Sequence, residues 1–281
     1  MDIKMKTSFD NIINMALNED APFGDITTMS TVPADKRAVG RFVAKDDGIL
    51  CGIDIAERVF EIVGGEFELK KNFSDGDKVK KGDIIAEISG NARTILTGER
   101  TALNLMQRAS GIATLTSIAV KAIEGTKAHI ADTRKTMPGL RLLDKYAVRV
   151  GGGVNHRFNL SDGVLIKDNH IAAAGSILNA VKGARLSCPH TLKIEVEVEN
   201  FEQLNEALEV KADIIMLDNM SNEDMAKAVQ IVSGRALIEA SGNMGDKDLA
   251  FVAKTGVDLI SIGALTHSVK ALDISLKFKI E

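Results

Sequence analysis

The segment LKIEVEV, residues 192–198, alternates apolar and charged side chains, and this alternation decides between two α/β architectures. One face of the predicted strand carries Ile194, Val196 and Val198, and the other carries Lys193, Glu195 and Glu197. Helices cover both faces of an open doubly wound sheet, so the three charges would be buried there without solvent. In a barrel the charged row can face the lumen and pair with charges on neighbouring strands. The segment therefore favours a barrel.

Apolar segments of the same kind recur through the C-terminal half of the chain, and helical patterns follow most of them. They end near Ala131, Ile166, Val198, Leu217, Ala240 and Ile262. The helical patterns cover residues 171–184, 200–210, 222–231 and 247–254. This repeat predicts an incomplete α/β barrel of about six βα units, where the commonest barrel has eight.

The N-terminal half has a different pattern. Residues 37–50 and 67–88 alternate apolar side chains and glycine as β-structure does, while residues 9–17 and 91–124 have helical spacing. We predict an N-terminal α/β sandwich domain over residues 1–110 and a barrel domain over residues 111–267. The final segment, residues 268–281, is expected to pack back onto the N-terminal domain.

Composition excludes several functional classes. The 281 residues carry a formal net charge of -4, with no Trp and one Tyr, which argues against a nucleic-acid surface. The two cysteines, Cys51 and Cys188, are far apart and indicate neither a disulfide framework nor a zinc site. No apolar run is long enough to span a bilayer, and the first residues, MDIKMKTSFD, lack the apolar core of a signal peptide. A cytoplasmic location without membrane or nucleic-acid partners is therefore expected.

One stretch concentrates positive charge. Residues 131–171 hold seven basic side chains against the four acids Asp132, Asp144, Asp162 and Asp168. The basic residues are Arg134, Lys135, Arg141, Lys145, Arg149, Arg157 and Lys167. In a chain of negative net charge, such a stretch indicates a pocket for a multiply anionic small molecule.

Polar residues lie just beyond the predicted strands, where α/β proteins hold their ligands. Three subsites are predicted from their chemistry. Carboxylates would be bound by Arg134, Lys135, His156, Arg157 and Lys167. Magnesium or sugar hydroxyls would be held by Glu197 and Asp218, since magnesium prefers hard oxygen ligands. A phosphate would be bound by backbone N–H groups of Ser241, Gly242, Asn243, Gly263 and Ala264.

Each of these residues also has a purely structural interpretation. Glu197 and Asp218 are equally well explained, taken alone, as partners of lumen lysines. His156 beside Arg157 is typical of a structural hydrogen-bonding pair, and His267 could cap a helix. Arg100 on spacing alone is more typical of a solvated helix face. The recurrence of polar residues at successive strand ends is what favours a functional site.

The motifs of the basic stretch are DTRKT, KYAVR, GGG, NHR and LIKDNHI, and KIEVEVEN, IMLDNM, EASGN and GVDLISIGALTHS follow them. Together with NEDAPFGDITT and GERTALNLMQRASGIAT upstream, they closely resemble the quinolinate phosphoribosyltransferase family over essentially the whole chain. The resemblance implies an N-terminal α/β sandwich and an incomplete α/β barrel. It also implies magnesium-dependent conversion of quinolinate and phosphoribosyl pyrophosphate to nicotinate mononucleotide, pyrophosphate and carbon dioxide, in NAD biosynthesis.

The resemblance further implies homodimers, or hexamers built from them, whose active sites are shared between subunits. Arg100 would then reach across to quinolinate in the partner subunit, and Lys135 would lie near the reacting end. The quinolinate carboxylates would contact Arg134, His156, Arg157 and Lys167. Magnesium and the ribose of phosphoribosyl pyrophosphate would be held by Glu197 and Asp218. The phosphate side of that substrate would contact Ser241, Gly242, Asn243, Gly263 and His267.

Three other functions compete with this interpretation. A branch associated with molybdenum uptake shares DTRKT and GGG but loses much of LIKDNH, which is intact here at residues 165–170. Nicotinate phosphoribosyltransferases share the architecture, but their substrate has one carboxylate and needs fewer cations. A non-catalytic carrier or anion-binding protein could use the β-rich half, but it would not explain Glu197 and Asp218 at strand ends.

Overall fold

The protein divides into two compact units. The computed structural model describes residues 3–280. Unit 1 contains the residues up to Ser117, Met137–Gly152 and the residues from Ser268 onward. Unit 2 contains Ile118–Thr136 and Gly153–His267. The predicted domain boundary at residues 110 and 111 stays a prediction, since these units divide within one long helix and unit 1 takes in Met137–Gly152.

Unit 1 is built on an antiparallel sheet. Its strands are β1 (Arg37–Ala44), β2 (Gly48–Ile49), β3 (Phe67–Lys71), β4 (Lys78–Val79), β5 (Ile84–Asn91) and β12 (Ile274–Ile280). The main sheet has the order β12-β1-β5-β3, and β2 pairs with β4 separately. Because β12 pairs with β1 along its whole length, from Ala44 opposite Ile274 to Ala38 opposite Ile280, the last strand is part of the unit 1 sheet.

Helices flank this sheet. They are α1 (Ile3–Thr7), α2 (Asp10–Asp20), α3 (Ile26–Thr31), α4 (Ile53–Val63), α5 (Ala92–Ala122) and α6 (Arg141–Val150). The sequence patterns did not predict α4, although it buries Ile53, Val59 and Phe60 completely or nearly so. The ring of Phe60 packs edge-on against Phe42 of β1, with ring centroids 6.3 Å apart. This apolar contact fixes α4 against the sheet.

Unit 2 is the predicted incomplete barrel. Its strands are β6 (His129–Ala131), β7 (Val164–Ile166), β8 (Ile194–Val198), β9 (Ile214–Asp218), β10 (Leu237–Ser241) and β11 (Leu259–Ser261). They form one parallel sheet of six strands in the order β6-β11-β10-β9-β8-β7. The sheet is not closed, because β6 and β7 are its two edges. The α/β fold with about six units is therefore confirmed.

Helices follow the strands of unit 2. They are α7 (Asp168–Ala174), α8 (Ile177–Ser187), α9 (Phe201–Glu209), α10 (Asn222–Val232), α11 (Leu249–Lys254) and α12 (Ala264–His267), with a 3₁₀ turn at Met244–Asp246. The single helix predicted over residues 171–184 is two helices. Gly175, in the left-handed region at φ 88°, ends α7, and Ser176 caps α8 by accepting a hydrogen bond from the Asn179 N–H.

The predicted charged face of residues 192–198 is confirmed in part. Glu195 is buried and Glu197 is partly buried on β8, and both pair with side chains of unit 2. Lys193 was expected in the same row, but it precedes the strand and is exposed. Within residues 3–280, no helix is both long and apolar enough to cross a membrane.

Candidate active site

Two arginines form a cationic pair, Arg134 in the loop after β6 and Arg157 in the loop before β7. Burial, followed by the nearby charge of Arg134, lowers the pKa of the Arg157 guanidinium. The Arg157 Nη1 donates to the Gly163 carbonyl over 2.9 Å, whereas the buried Nε of Arg134 has no hydrogen-bond partner within residues 3–280. Leaving a buried donor unpaired costs free energy, and so does placing two cations side by side. An anionic ligand would reduce both costs.

A buried acid holds the segment that carries Arg157. Asp132 is fully buried, and its Oδ1 accepts the His156 backbone N–H over 2.8 Å. Its Oδ2 accepts the side-chain amide of Asn155 over 2.6 Å. The Arg157 backbone N–H donates in turn to Nδ1 of His156 over 2.7 Å. This network fixes an irregular loop by buried polar contacts.

The other side of the His156 ring faces two glutamates. Its Nε2 lies 3.0 Å from Oε2 of Glu195 and 3.7 Å from Oε2 of Glu239. Both glutamates are buried, and burial, followed by the charge of Glu195, raises the pKa of Glu239. Both ring nitrogens of His156 therefore have partners inside unit 2. Direct binding of a quinolinate carboxylate by His156 stays a prediction, and the geometry shows it holding the Arg157 backbone.

The same three side chains resemble a metal site, but their hydrogen bonds do not fit one. One ligand atom from each of His156, Glu195 and Glu239 lies within 4.8 Å of the others. Because Nδ1 of His156 accepts the Arg157 N–H, the proton of the neutral ring lies on Nε2. That nitrogen faces the carboxylates and has no lone pair for a cation.

The two strand-end carboxylates fit a hard cation better. Glu197 is the penultimate residue of β8 and Asp218 ends β9, on neighbouring parallel strands. Oε2 of Glu197 accepts a hydrogen bond from Nζ of Lys167, and Oδ2 of Asp218 accepts one from the Asn219 amide over 2.7 Å. Within the described part of the chain, the second oxygen of each carboxylate accepts none. Such a donor set suits magnesium.

The Lys167–Glu197 ion pair joins two of the predicted subsites. Lys167 directly follows β7, where it precedes α7, and its ammonium group bonds a carboxylate assigned to the other substrate. The pair supports the view of Glu197 as the partner of a strand-end lysine as well as that of a metal ligand. The structure therefore leaves both interpretations of Glu197 in place.

Glycine brings three further predicted residues together. A Cβ on Gly263 would lie 2.9 Å from Cδ of Lys135 and 3.1 Å from Cδ2 of His267. The Lys135 carbonyl accepts the Thr266 hydroxyl over 2.8 Å, which ties the loop after β6 to α12. Only a residue without a side chain leaves room for this approach.

The remaining predicted residues lie in two places. Ser241 ends β10, and Gly242 and Asn243 follow it in left-handed conformations, with φ of 90° and 49°. They lead into the 3₁₀ turn at Met244–Asp246, and their binding of phosphate stays a prediction. Arg100 is exposed on α5 in unit 1, whereas the other predicted site residues belong to unit 2.

Sequence reasoning missed three residues of this arrangement. Glu239 shares the lumen face of β10 with Ser241, two positions later, and an acid inside the apolar strand LIEAS was the available signal. Asp132 opens the DTRKT motif and Asn219 follows Asp218 in LDNM. Their positions in these motifs were the only sign of a role, because Asp132 bonds Asn155 and His156 and the backbone of Asn219 bonds Ser241, all distant in sequence.

Cations after β6 and β7, carboxylates at the ends of β8 and β9, and glycine-containing loops after β10 and β11 define the class. This is an α/β-barrel enzyme that acts on multiply charged anionic small molecules. The model of the family "Quinolinate phosphoribosyl transferase, C-terminal domain" matches residues 112–277, and that of the N-terminal domain matches residues 25–110. The chain belongs to the quinolinate phosphoribosyltransferase family.

Individual proteins agree with this assignment. A nicotinate-nucleotide pyrophosphorylase (carboxylating) of Mycobacterium leprae is 47% identical over 270 residues, covering 94% of this chain and 95% of that protein. A probable enzyme of the same name from Bacillus subtilis is 46% identical over 265 residues, covering 94% and 91%. The crystal structure of NadC from Streptococcus pyogenes has a TM-score of 0.92 at 42% identity, covering 100% of this chain and 99% of that one.

Proposed function

We propose that this protein transfers the phosphoribosyl group of phosphoribosyl pyrophosphate to quinolinate and releases carbon dioxide, forming nicotinate mononucleotide and pyrophosphate in NAD biosynthesis. The observation that carries the proposal is the pair Arg134 and Arg157. Two neighbouring guanidinium groups, one with an unpaired buried donor, suit a ligand with two adjacent carboxylates. Quinolinate has such a pair.

Charge placement accounts for the transfer step. The bond between ribose and pyrophosphate breaks as the pyridine nitrogen attacks, so positive charge develops on the ribose ring and negative charge on the leaving group. Glu197 and Asp218 would hold magnesium, which neutralises pyrophosphate charge when bound. The loops at Ser241, Gly242, Asn243 and Gly263, with His267, would bind the phosphate groups.

Decarboxylation follows from the first step. Attachment to ribose makes the ring nitrogen a cation, which stabilises the electron pair left on the adjacent ring carbon when the carboxylate departs as carbon dioxide. That carbon then takes up a proton. Lys135 lies with Gly263 and His267, so we place its ammonium group at the reacting end of the site. Lys167 would contact a quinolinate carboxylate while its bond to Glu197 links the two substrates.

A direct assay tests the function. The protein would be incubated with quinolinate, phosphoribosyl pyrophosphate and magnesium, and nicotinate mononucleotide would be followed by chromatography, with nicotinate replacing quinolinate in a parallel reaction. We expect product, and carbon dioxide, from quinolinate alone. Product from nicotinate and not from quinolinate would overturn the assignment of substrate.

A substitution tests the subsite. Arg157→Ala should lower turnover by roughly two orders of magnitude while the melting temperature changes little, because the arginine binds ligand charge more than it supports the fold. Lys135→Ala should behave in the same way. Arg185→Ala is the matched control, since it removes a guanidinium that bonds Asp213 before β9, at the opposite end of the strands. Near-normal turnover of both site variants would contradict the subsite.

A homodimer with shared sites, or a hexamer built from such dimers, is part of the proposal. Exposed apolar side chains on unit 1, Phe23 at 96% and Ile26 at 78% exposure, support a protein-protein surface there. Arg100, exposed on α5, would complete the quinolinate subsite of the partner subunit. A cytoplasmic location is likewise proposed.

A further inference from the structure

Two consecutive loops of the barrel meet at Asn219. This residue directly follows β9 and adopts the left-handed backbone conformation, with φ of 55°. Its backbone N–H donates to the carbonyl of Ser241 at the end of β10, over 3.1 Å. Asparagine is one of the few residues that adopt this conformation at low cost. The loop after β9 is therefore tied to the loop after β10 at the level of the main chain.

The side chain of Asn219 makes two contacts with predicted site residues. Its Nδ2 donates to Oδ2 of Asp218 over 2.7 Å, which orients that carboxylate. Its Oδ1 lies where a side chain on Gly242 would begin, since a Cβ there would be 2.2 Å from Oδ1 and 2.6 Å from Cγ of Asn219. The absence of a side chain at Gly242 is what lets the two loops come this close.

We propose that Asn219 is a positioning residue of the phosphoribosyl pyrophosphate subsite. Its amide orients the Asp218 carboxylate, and its contact with Gly242 sets the distance between that carboxylate and the Ser241–Asn243 backbone. The inference rests on the proposed function, because it assigns Asn219 to the loops that would hold that substrate. One side chain thereby links the magnesium and ribose side of the subsite to its phosphate side.

The geometry assigns Asn219 a role in orientation more than in stability. The residue is exposed, so its hydrogen bond to Asp218 contributes little to the free energy of folding. Without the amide, the carboxylate can rotate about its side-chain torsions and must be ordered when the substrate binds. The cost falls on binding of phosphoribosyl pyrophosphate and leaves quinolinate binding unchanged, since Arg134 follows β6 and Arg157 precedes β7, away from the loops after β9 and β10.

Three substitutions separate the side chain from the backbone. Asn219→Gly keeps the left-handed conformation and removes the amide, Asn219→Ala removes the amide and strains the backbone, and Asn219→Asp replaces the donor with a second negative charge. We expect the KM for phosphoribosyl pyrophosphate to rise roughly tenfold in the glycine and alanine variants and further in the aspartate variant. The KM for quinolinate should stay within about twofold of its wild-type value.

Binding without turnover gives an independent readout. Calorimetric titration of the protein with phosphoribosyl pyrophosphate and magnesium, in the absence of quinolinate, should show the same roughly tenfold loss of affinity in Asn219→Gly. Ser233→Gly is the matched control, because Ser233 is also left-handed, with φ of 47°, but follows α10 before β10, at the opposite end of the strands. It should bind the substrate as the wild type does.

The outcomes are separable from those of the proposed function. Lack of product from the wild-type protein would refute the function itself. An active wild type with unchanged affinity for phosphoribosyl pyrophosphate in Asn219→Gly would overturn the role of Asn219. Equal rises in both KM values would also overturn it, since they would indicate a general loosening of the barrel.

Discussion

Glu239 is a buried carboxyl group whose ionisation opposes folding. It is 1% exposed, and its Oε1 has no hydrogen-bond partner among residues 3–280. Burial, followed by the charge of Glu195, raises its pKa from 4.5 to about 8, while His156 acts in the opposite direction. A neutral carboxyl group can share hydrogen bonds with its neighbours, whereas the ionised form would add a second charge to a site shielded from water.

This pKa predicts a pH-dependent contribution to stability. Because the folded-state pKa is raised, the unfolded chain binds fewer protons at Glu239 between pH 4.5 and about 8. The contribution of Glu239 to the free energy of unfolding should therefore fall as pH rises through this range, by up to about 1.4 kcal/mol for each pH unit. Glu239→Gln is neutral at every pH and removes the effect.

Urea unfolding of the wild type and of Glu239→Gln, at pH values from 5 to 9 in steps of about one unit, measures this pH dependence. The free energy of unfolding of the wild type minus that of Glu239→Gln should become smaller as pH rises. A difference that stays constant over the range would contradict the raised pKa. Titrating groups far from Glu239 are common to the two proteins and cancel in the subtraction, whereas Glu195 and His156 interact with Glu239 and remain part of the measured difference.

The roles of individual residues were only partly accessible from the sequence. Lys167, Glu197 and Asp218 could be located because each lies at or next to the C-terminal end of a segment with a strand pattern. Glu239 and Asp132 could not be located in this way, because their functions depend on His156. That residue is 83 positions from Glu239 and 24 from Asp132 (239-156 and 156-132). Burial of a carboxyl group is a property of the assembled barrel and leaves no local pattern.

At the scale of elements, helix α4 shows why some structure escaped prediction. Its first residues are preceded by Gly52, in the left-handed region at φ 97°, so no side chain at the usual capping position can bond the free N–H groups. Asp75, from the loop before β4, supplies the cap: its Oδ1 accepts the N–H of Gly52 over 2.8 Å and that of Ile53 over 3.0 Å. The start signal of α4 thus lies over twenty residues downstream.

The same acid connects α4 to α6, because Oδ2 of Asp75 accepts the hydroxyl of Tyr146 over 2.7 Å. Asp75→Ala removes all three hydrogen bonds and should lower the free energy of unfolding by about 2–4 kcal/mol, whereas Tyr146→Phe should cost about 1 kcal/mol. Both losses are measured by urea unfolding, as shifts of the midpoint at an unchanged dependence of the free energy of unfolding on urea concentration. The exposed Asp46→Ala is the control, and a loss in Asp75→Ala no larger than in Asp46→Ala would show that Asp75 does not cap α4.

Barrel elements were the most predictable, for a physical reason. Each strand of unit 2 lies between the lumen and the helices, so its sequence either alternates apolar and polar residues or is continuously apolar. Every βα unit is under the same constraint. All six strands end within about one residue of the positions expected from the sequence. The pairing of β12 with β1 could be expected only as packing, since the register depends on residues at least 230 positions apart (274-44).

At the scale of the whole molecule, the position of Arg100 bears on how many chains make one active site. Arg100 belongs to unit 1 and Lys135 to unit 2, and the proposed dimer takes these two residues of each site from different subunits. In a C2 dimer, a heterodimer of Arg100→Ala with Lys135→Ala chains then has one site carrying both substitutions and one site carrying neither. Such a heterodimer should be active although both parent homodimers are inactive.

Co-expression with two different affinity tags isolates that heterodimer, and its turnover per dimer should be about half of the wild-type value, because one of two sites is intact. The matched control is a heterodimer of Lys135→Ala with Arg157→Ala. Both residues belong to unit 2, so each of its sites carries one substitution and it should stay inactive. Recovery in the first heterodimer and not in the second requires that Arg100 crosses to the partner. An inactive first heterodimer would place Arg100 in the site of its own chain.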